Sequence, residues 1–259
     1  MKQLQKLFLI ALGFLMINQV NAGDTPQKII FFGVEHVLLQ HDSSNFTGGN
    51  VGSWLGYTPD AVRKELMDIL ASASISADAS VRSAPGSYPL IIKYWSLVPG
   101  SSYQVKKRAL DHISKKTWLL QKARLKLAAD IAFTPNQTPR ALKSNTAMVN
   151  LSKQCQQKGC IISVATNWNK EGFQAIENKH KKTFGHFDHI YISGTRKLLT
   201  SEKLFFEQII KELGVEAKHC ILVDQDPDSL AAARKAGIIT ITYKSPAQVR
   251  NELHNHNVL

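Results

Sequence analysis

What most limits the fold of this chain is a series of five short apolar runs rich in β-branched residues: 28–34 (KIIFFGV), 161–165 (IISVA), 189–192 (HIYI), 220–223 (CILV) and 238–242 (IITIT). Runs this short that stay apolar without alternating suit strands buried on both faces. Between the later runs lie helical patterns at 170–179, at 202–213 ahead of Gly214, at 227–236 ahead of Gly237, and at 246–253 behind Ser245. Proline just inside a helix start and glycine just past its end are the expected punctuation. Strand alternating with helix predicts right-handed crossovers and an α/β doubly wound parallel sheet covered on both sides.

The alternation fails between the first run and the second. Residues 43–144 are patterned mostly as helix and read as an insertion, leaving a core made of 23–42 and 145–259. Thr58-Pro59 starts a helix through residue 70. A basic stretch at 103–133 carries Lys106, Lys107, Arg108, Lys115, Lys116, Lys122, Arg124 and Lys126. Ala109, Ile113, Leu120, Leu127 and Ile131 recur there at near-helical spacing, so one face can pack while the lysines stay in water. A solvated helix face accounts for these charges, with a dedicated anion surface as the alternative. The glycine-rich stretch 41–56 lacks the GK[ST] ending of a phosphate loop and reads as a hinge or lid.

The first 22 residues read as an export address. Lys2 and Lys6 precede an apolar run (LFLIALGFLMI), and VNA closes the segment on a small residue, so cleavage is expected after Ala22. The apolar run is shorter than the roughly 20 residues a spanning helix needs, and no other stretch reaches that length. The mature chain is therefore expected to be exported, periplasmic or secreted, without a membrane span. Lys plus Arg outnumber Asp plus Glu by 32 to 20, a balance that favours anionic partners. Cys155, Cys160 and Cys220 show no metal-ligand spacing, and Cys160 and Cys220 open apolar runs as small buried hydrophobes. Trp168 is placed to line a cleft mouth. His254 and His256 read as loose surface residues near the end of the chain.

In a parallel sheet, ligands gather at the carboxyl ends of the strands. There IIFFGVEHVLL (29–39) resembles the first motif of the haloacid dehalogenase-like hydrolases, an apolar strand followed by Asp-x-Asp-Gly. IISVATNWN resembles the second motif, with Thr166 and Asn167 at the strand end. ILVDQDPDSLAAARKAGI (221–238) is similar to the fourth, and FDHIYISG with LFFEQIIKELGV is similar to the surroundings of the third. The resemblance covers 28–40 and 145–253 and implies a Rossmann-like core, with the helical insertion similar to that family's first type of cap.

The resemblance also implies an aspartyl-phosphate mechanism assisted by Mg2+, and here the residues depart from it. The nucleophile position is Gly33, which has no side chain; the acid-base position is Glu35, and the usual glycine is His36. The third-motif lysine falls on Thr200, flanked by Lys197 and Lys203. In the fourth motif the Asp pair is Asp224 and Gln225, with Asp226 and Asp228 as further candidate metal ligands. The resemblance then implies phosphate binding by Thr166, Asn167, Lys197 and Lys203 and a weakened Mg2+ site.

Three functions fit this pattern. The first is a catalytically degenerate phosphatase relative that binds a phosphorylated or anionic ligand or partner. The second is a metal-dependent phosphohydrolase working through Glu35, Asp224 and Asp226 with metal-bound water. The third is a non-enzymatic surface or adhesion protein whose basic cap meets anionic polymers or an acidic surface.

Overall fold

A computed structural model describes residues 27–42, 65–66, 68, 101–115 and 119–259. Residues 1–22, where an export address is expected, the glycine-rich stretch beyond Asp42, and Trp54, Trp95 and Trp118 lie outside the described residues. The elements run β1 (Ile29–Phe32), β2 (Leu39–His41), α1 (Ser101–Ser114), α2 (Leu119–Phe133), β3 (Leu142–Ser144), α3 (Thr146–Gln157), β4 (Ile161–Thr166), α4 (Lys170–Lys179) and α5 (Lys181–Phe184). They continue with β5 (His189–Ile192), α6 (Ser193–Arg196), α7 (Lys203–Leu213), β6 (Cys220–Asp224), α8 (Pro227–Lys235), β7 (Ile239–Thr242) and α9 (Pro246–Asn255).

The five apolar runs form one parallel sheet in the order β5-β4-β1-β6-β7. All four residues of β1 are fully buried, and successive side chains of a strand point to opposite faces. Ile30 and Phe32 join the core formed with α3, α4 and α9, which supply Met148, Phe173 and Leu253. Ile29 and Phe31 join the second core, where α7 and α8 supply Phe205, Phe206 and Leu230. Each such side chain contributes about 1.5–3 kcal/mol on burial, which is why a strand without polar alternation settles in the middle of the sheet.

Both ends of the insertion are tied together. β2 pairs antiparallel with β3, with Leu39 opposite Ser144 and His41 opposite Leu142. Asn145, next in the chain, is buried and donates from Nδ2 to the Val37 carbonyl and to the Tyr243 hydroxyl, both at 2.9 Å. Its Oδ1 accepts from the Met148 amide and caps α3. The outgoing chain, the returning chain and the end of β7 thus meet at one side chain.

In the basic stretch Ala109, Ile113 and Ile131 are buried, as their spacing predicts. The stretch forms α1 and α2, so the hydrophobic period restarts after residue 115, and α2 packs through Leu125, Ala128 and Ala129 at helical spacing while Leu127 is 43% exposed. Lys107, Arg108, Lys115 and Lys126 are exposed as a solvated face would be, whereas Lys106 pairs with Asp130 and donates to Thr134. Trp168 is buried rather than at a cleft mouth, with its ring against Gly172. The C-terminal histidines are likewise anchored: Lys28 Nζ donates to the carbonyls of His256 and Asn257, His254 Nδ1 lies 2.9 Å from the Leu259 carbonyl oxygen, and Val258 is buried. All three cysteines are buried and unbridged.

Two stability predictions follow from this packing. Asn145→Ala removes a helix cap and two buried amide bonds and lowers unfolding free energy by about 2–3 kcal/mol, read from denaturant midpoints. His186 contacts Ser152 Oγ through Nε2 while its Nδ1 is enclosed without a partner, and burial depresses its pKa, with Lys153 adding to the effect. Burial depresses the pKa of His180 as well. Below about pH 6.5 the unfolded chain takes up these protons more readily than the folded one, so stability is full above that pH and declines beneath it. Denaturation midpoints measured across this range should show the decline, with a shallower slope in His186→Gln.

Candidate active site

The chain leaves β1 toward β4 on one side and β6 toward β7 on the other, so the connections diverge between β1 and β6. Open α/β sheets place ligand sites at such a switch point, beyond the carboxyl ends of the strands. Phe32 is in register with Val223, and the Gly33 amide donates to the Val223 carbonyl at 2.9 Å, which sets Gly33 beside Asp224. The Asp224 side chain leans across onto it. A Cβ built on Gly33 would lie 2.8 Å from Asp224 Cγ and Oδ1 and 2.9 Å from Oδ2. The space a side chain at position 33 would need is therefore filled by the Asp224 carboxyl.

That carboxyl is held locally. Asp224 Oδ1 accepts from the amides of Gln225 at 2.6 Å and Asp226 at 3.1 Å. Burial pushes its pKa up to about 7, and the charges of Asp226 and Glu35 push the same way against the two amide bonds. Asp226 turns away to cap α8, its Oδ2 accepting from the amide and the hydroxyl of Ser229 at 3.1 and 2.5 Å. Thr200 and Ser229 are almost fully buried, with their hydroxyls 2.5 Å apart, and the Thr200 amide donates to Asn167 Oδ1 at 2.9 Å.

The structure brings some predicted residues together and separates others. Gly33, Glu35, Asp224, Asp226, Thr166 and Asn167 all sit at the ends of β1, β4 and β6. His36 has φ +66°, the left-handed region glycine enters without penalty, which explains the glycine preference at this place in the resembling motif. Lys203 opens α7 and pairs with Glu207 at 2.7 Å. Lys197 is exposed, with φ +60° at the end of α6. Asp228 lies in the first turn of α8, where burial and then the charge of Asp226 raise its pKa.

Two further residues matter that lie inside the resembling segments but were given no role by them. Ser229 connects Thr200 to Asp226. Gly194 lets the ends of β4 and β5 touch: its amide donates to the Trp168 carbonyl, and a Cβ there would sit 2.8 Å from the backbone of Asn169 and Lys170.

Solved structures of similar fold include a haloacid dehalogenase-family enzyme from Bacteroides thetaiotaomicron in complex with magnesium and inorganic phosphate. It is 12% identical, with a TM-score of 0.53, over 84% of this chain and 94% of that one. The L-2-haloacid dehalogenase of Xanthobacter autotrophicus, with chloropropionic acid covalently bound, is 10% identical over 90% and 84% of the two chains, with a TM-score of 0.51. This chain has the haloacid dehalogenase-like fold. Among curated proteins, the sesquiterpene phosphatase astK of Aspergillus oryzae is 24% identical over 111 residues, 43% of this chain and 56% of that one, so the match spans little more than half of that relative. No family model matches the chain.

Within the haloacid dehalogenase-like fold, the metal expected from the resemblance meets an unsuitable donor set. Among the described residues, no three His, Cys, Asp or Glu side chains come together so as to hold a metal ion. Asp224 Oδ1 accepts from two backbone amides, Asp226 Oδ2 accepts from Ser229 at the α8 cap, and position 33 supplies no side-chain oxygen.

The contact between Gly33 and Asp224 is open to a double-mutant cycle. Gly33→Ala forces the carboxyl aside and destabilises the fold by about 1–3 kcal/mol, the usual range for overpacking. In an Asp224→Ala background most of that cost disappears, giving a coupling of about 1 kcal/mol or more in equilibrium unfolding.

Proposed function

We propose that this chain is an exported phosphatase-fold protein that has lost the aspartyl-phosphate route and binds, rather than hydrolyses, a phosphorylated or other anionic ligand at the ends of β1, β4 and β6. One observation carries the proposal: the nucleophile position is a glycine whose side-chain space is occupied by Asp224. Removing a nucleophile that works as part of a unit costs on the order of a millionfold in rate. The groups left at the site are suited to holding an anion. Thr166 places a hydroxyl at the end of β4, Asn167 an amide beside it, and the Asp224 carboxyl, with a pKa near 7, protonates readily next to a negative charge and then donates a hydrogen bond. Export rests on the amino-terminal pattern of residues 1–22.

The test is hydrolysis of a panel of phosphomonoesters by the chain starting at Gly23, with and without Mg2+, beside an Asp224→Ala control, together with calorimetric titration of inorganic phosphate. Turnover is expected to match the control. Phosphate binding is expected to give measurable heat that falls several-fold in Thr166→Val. Metal-dependent hydrolysis lost in Asp224→Ala would replace this proposal with a metal-bound-water route through Glu35 and Asp224.

A second function, anionic-polymer binding through the insertion, is favoured by the exposed Lys107, Arg108, Lys115 and Lys126 of α1, its following turn and α2. Its signature is salt-sensitive retention on heparin that Asp224→Ala leaves unchanged.

A further inference from the structure

We infer that the strand-end loops of this chain are closed by a relay of buried hydroxyls in the place where the resembling enzymes use a metal ion and a lysine, and that the site consequently takes up no Mg2+. The inference extends the proposed loss of the aspartyl-phosphate route to the cation that served it.

The relay has a defined direction. The Ser229 hydroxyl lies 2.5 Å from Asp226 Oδ2, a carboxylate oxygen that only accepts, so Ser229 donates there. The Thr200 hydroxyl, 2.5 Å from the Ser229 oxygen, must then donate to Ser229. The Thr200 amide in turn donates to Asn167 Oδ1. Asn167 follows β4, Thr200 follows β5 and α6, and Asp226 follows β6, so one continuous chain of bonds ties the loops beyond three of the five strands.

The same atoms are then unsuited to a hard cation. Mg2+ requires several oxygens in near-octahedral array at about 2.0–2.1 Å and gives up its waters reluctantly. Asp226 Oδ2 is taken by two donors from Ser229, and Asp224 Oδ1 by two consecutive amides. Both Asp224 oxygens already stand within 2.9 Å of where a Cβ of residue 33 would be, so no carboxylate from β1 can join them around an ion. The substitution at Thr200 is consistent with this. A lysine there would neutralise a nucleophile carboxylate at position 33, and with Gly33 that charge is gone. A buried ammonium without its partner is costly, while a hydroxyl is satisfied by Ser229.

Thermal unfolding of the full chain in EDTA and in millimolar Mg2+ tests the inference without reference to activity. The wild-type chain is expected to show the same Tm in both. Gly33→Asp, which sets a second carboxylate against Asp224, is expected to unfold at lower temperature than the wild type in EDTA and in Mg2+ alike. Ser229→Ala is expected to lower Tm by roughly 2–6 °C, irrespective of metal, as a buried hydrogen bond between loops is lost. A Mg2+-dependent rise in the wild-type Tm that disappears in Asp224→Asn overturns the inference and leaves phosphate binding to be decided by its own titration.

Discussion

The position of Gly33 depends on the double burial of the strand before it. Ile29 to Phe32 face apolar cores on both sides and pair along both edges, with β4 and β6. A strand held in this way has little freedom to slide, because a one-residue slip would exchange the residues of the two cores. Its register places Phe32 opposite Val223 and so delivers the next residue to the side of Asp224. The hydrophobic packing of four residues thereby decides which atoms meet at the far end of the strand, where the sheet opens to a ligand.

Much of this architecture was legible in the sequence because it follows from local rules. The apolar runs at 161–165, 189–192 and 220–223 became strands within one residue of their expected limits, and the helix patterns ended where Gly214 and Gly237, both with positive φ, interrupt them. The basic stretch at 103–133 was less legible. Charge and spacing do not reveal that α1 ends at Ser114, and the inward face of α2 is set by what it packs against as much as by its own periodicity. The C-terminal histidines lie at the surface as expected, but the tail is not loose, because the contact between Lys28 and the His256 carbonyl joins residues far apart in the chain and no local pattern encodes it.

At the site, identities were legible and geometry was not. The absence of a carboxylate at residue 33 can be read directly, but that Asp224 leans into the vacated space comes only from two neighbouring strands in register. Asp226 looked like a candidate metal ligand because its position matches a motif. Its role as the cap of α8 could have been found from Asp226-Pro227 and Ser229, since a cap followed by proline at the first helical position is a recognised start signal. Position in a motif and position in a helix draw on the same side chain, and here the helix start takes up one of its two oxygens.

The departures from the resembling motifs are coupled through charge. A nucleophile carboxylate, a lysine and a metal ion form a set in which each member compensates the others. Removing the carboxylate alone would leave a buried ammonium in surplus, while removing the lysine alone would leave carboxylates repelling one another. This chain differs at the position of each: Gly33 carries no charge, Thr200 is neutral and satisfied, and Asp226 is engaged by Ser229. Asp224 remains as a carboxyl with a pKa near 7 whose protonation follows what lies beside it. The mutual repulsion of Glu35, Asp224 and Asp226 is thus relieved at Asp224, by taking up a proton, in a place where position 33 adds no further charge.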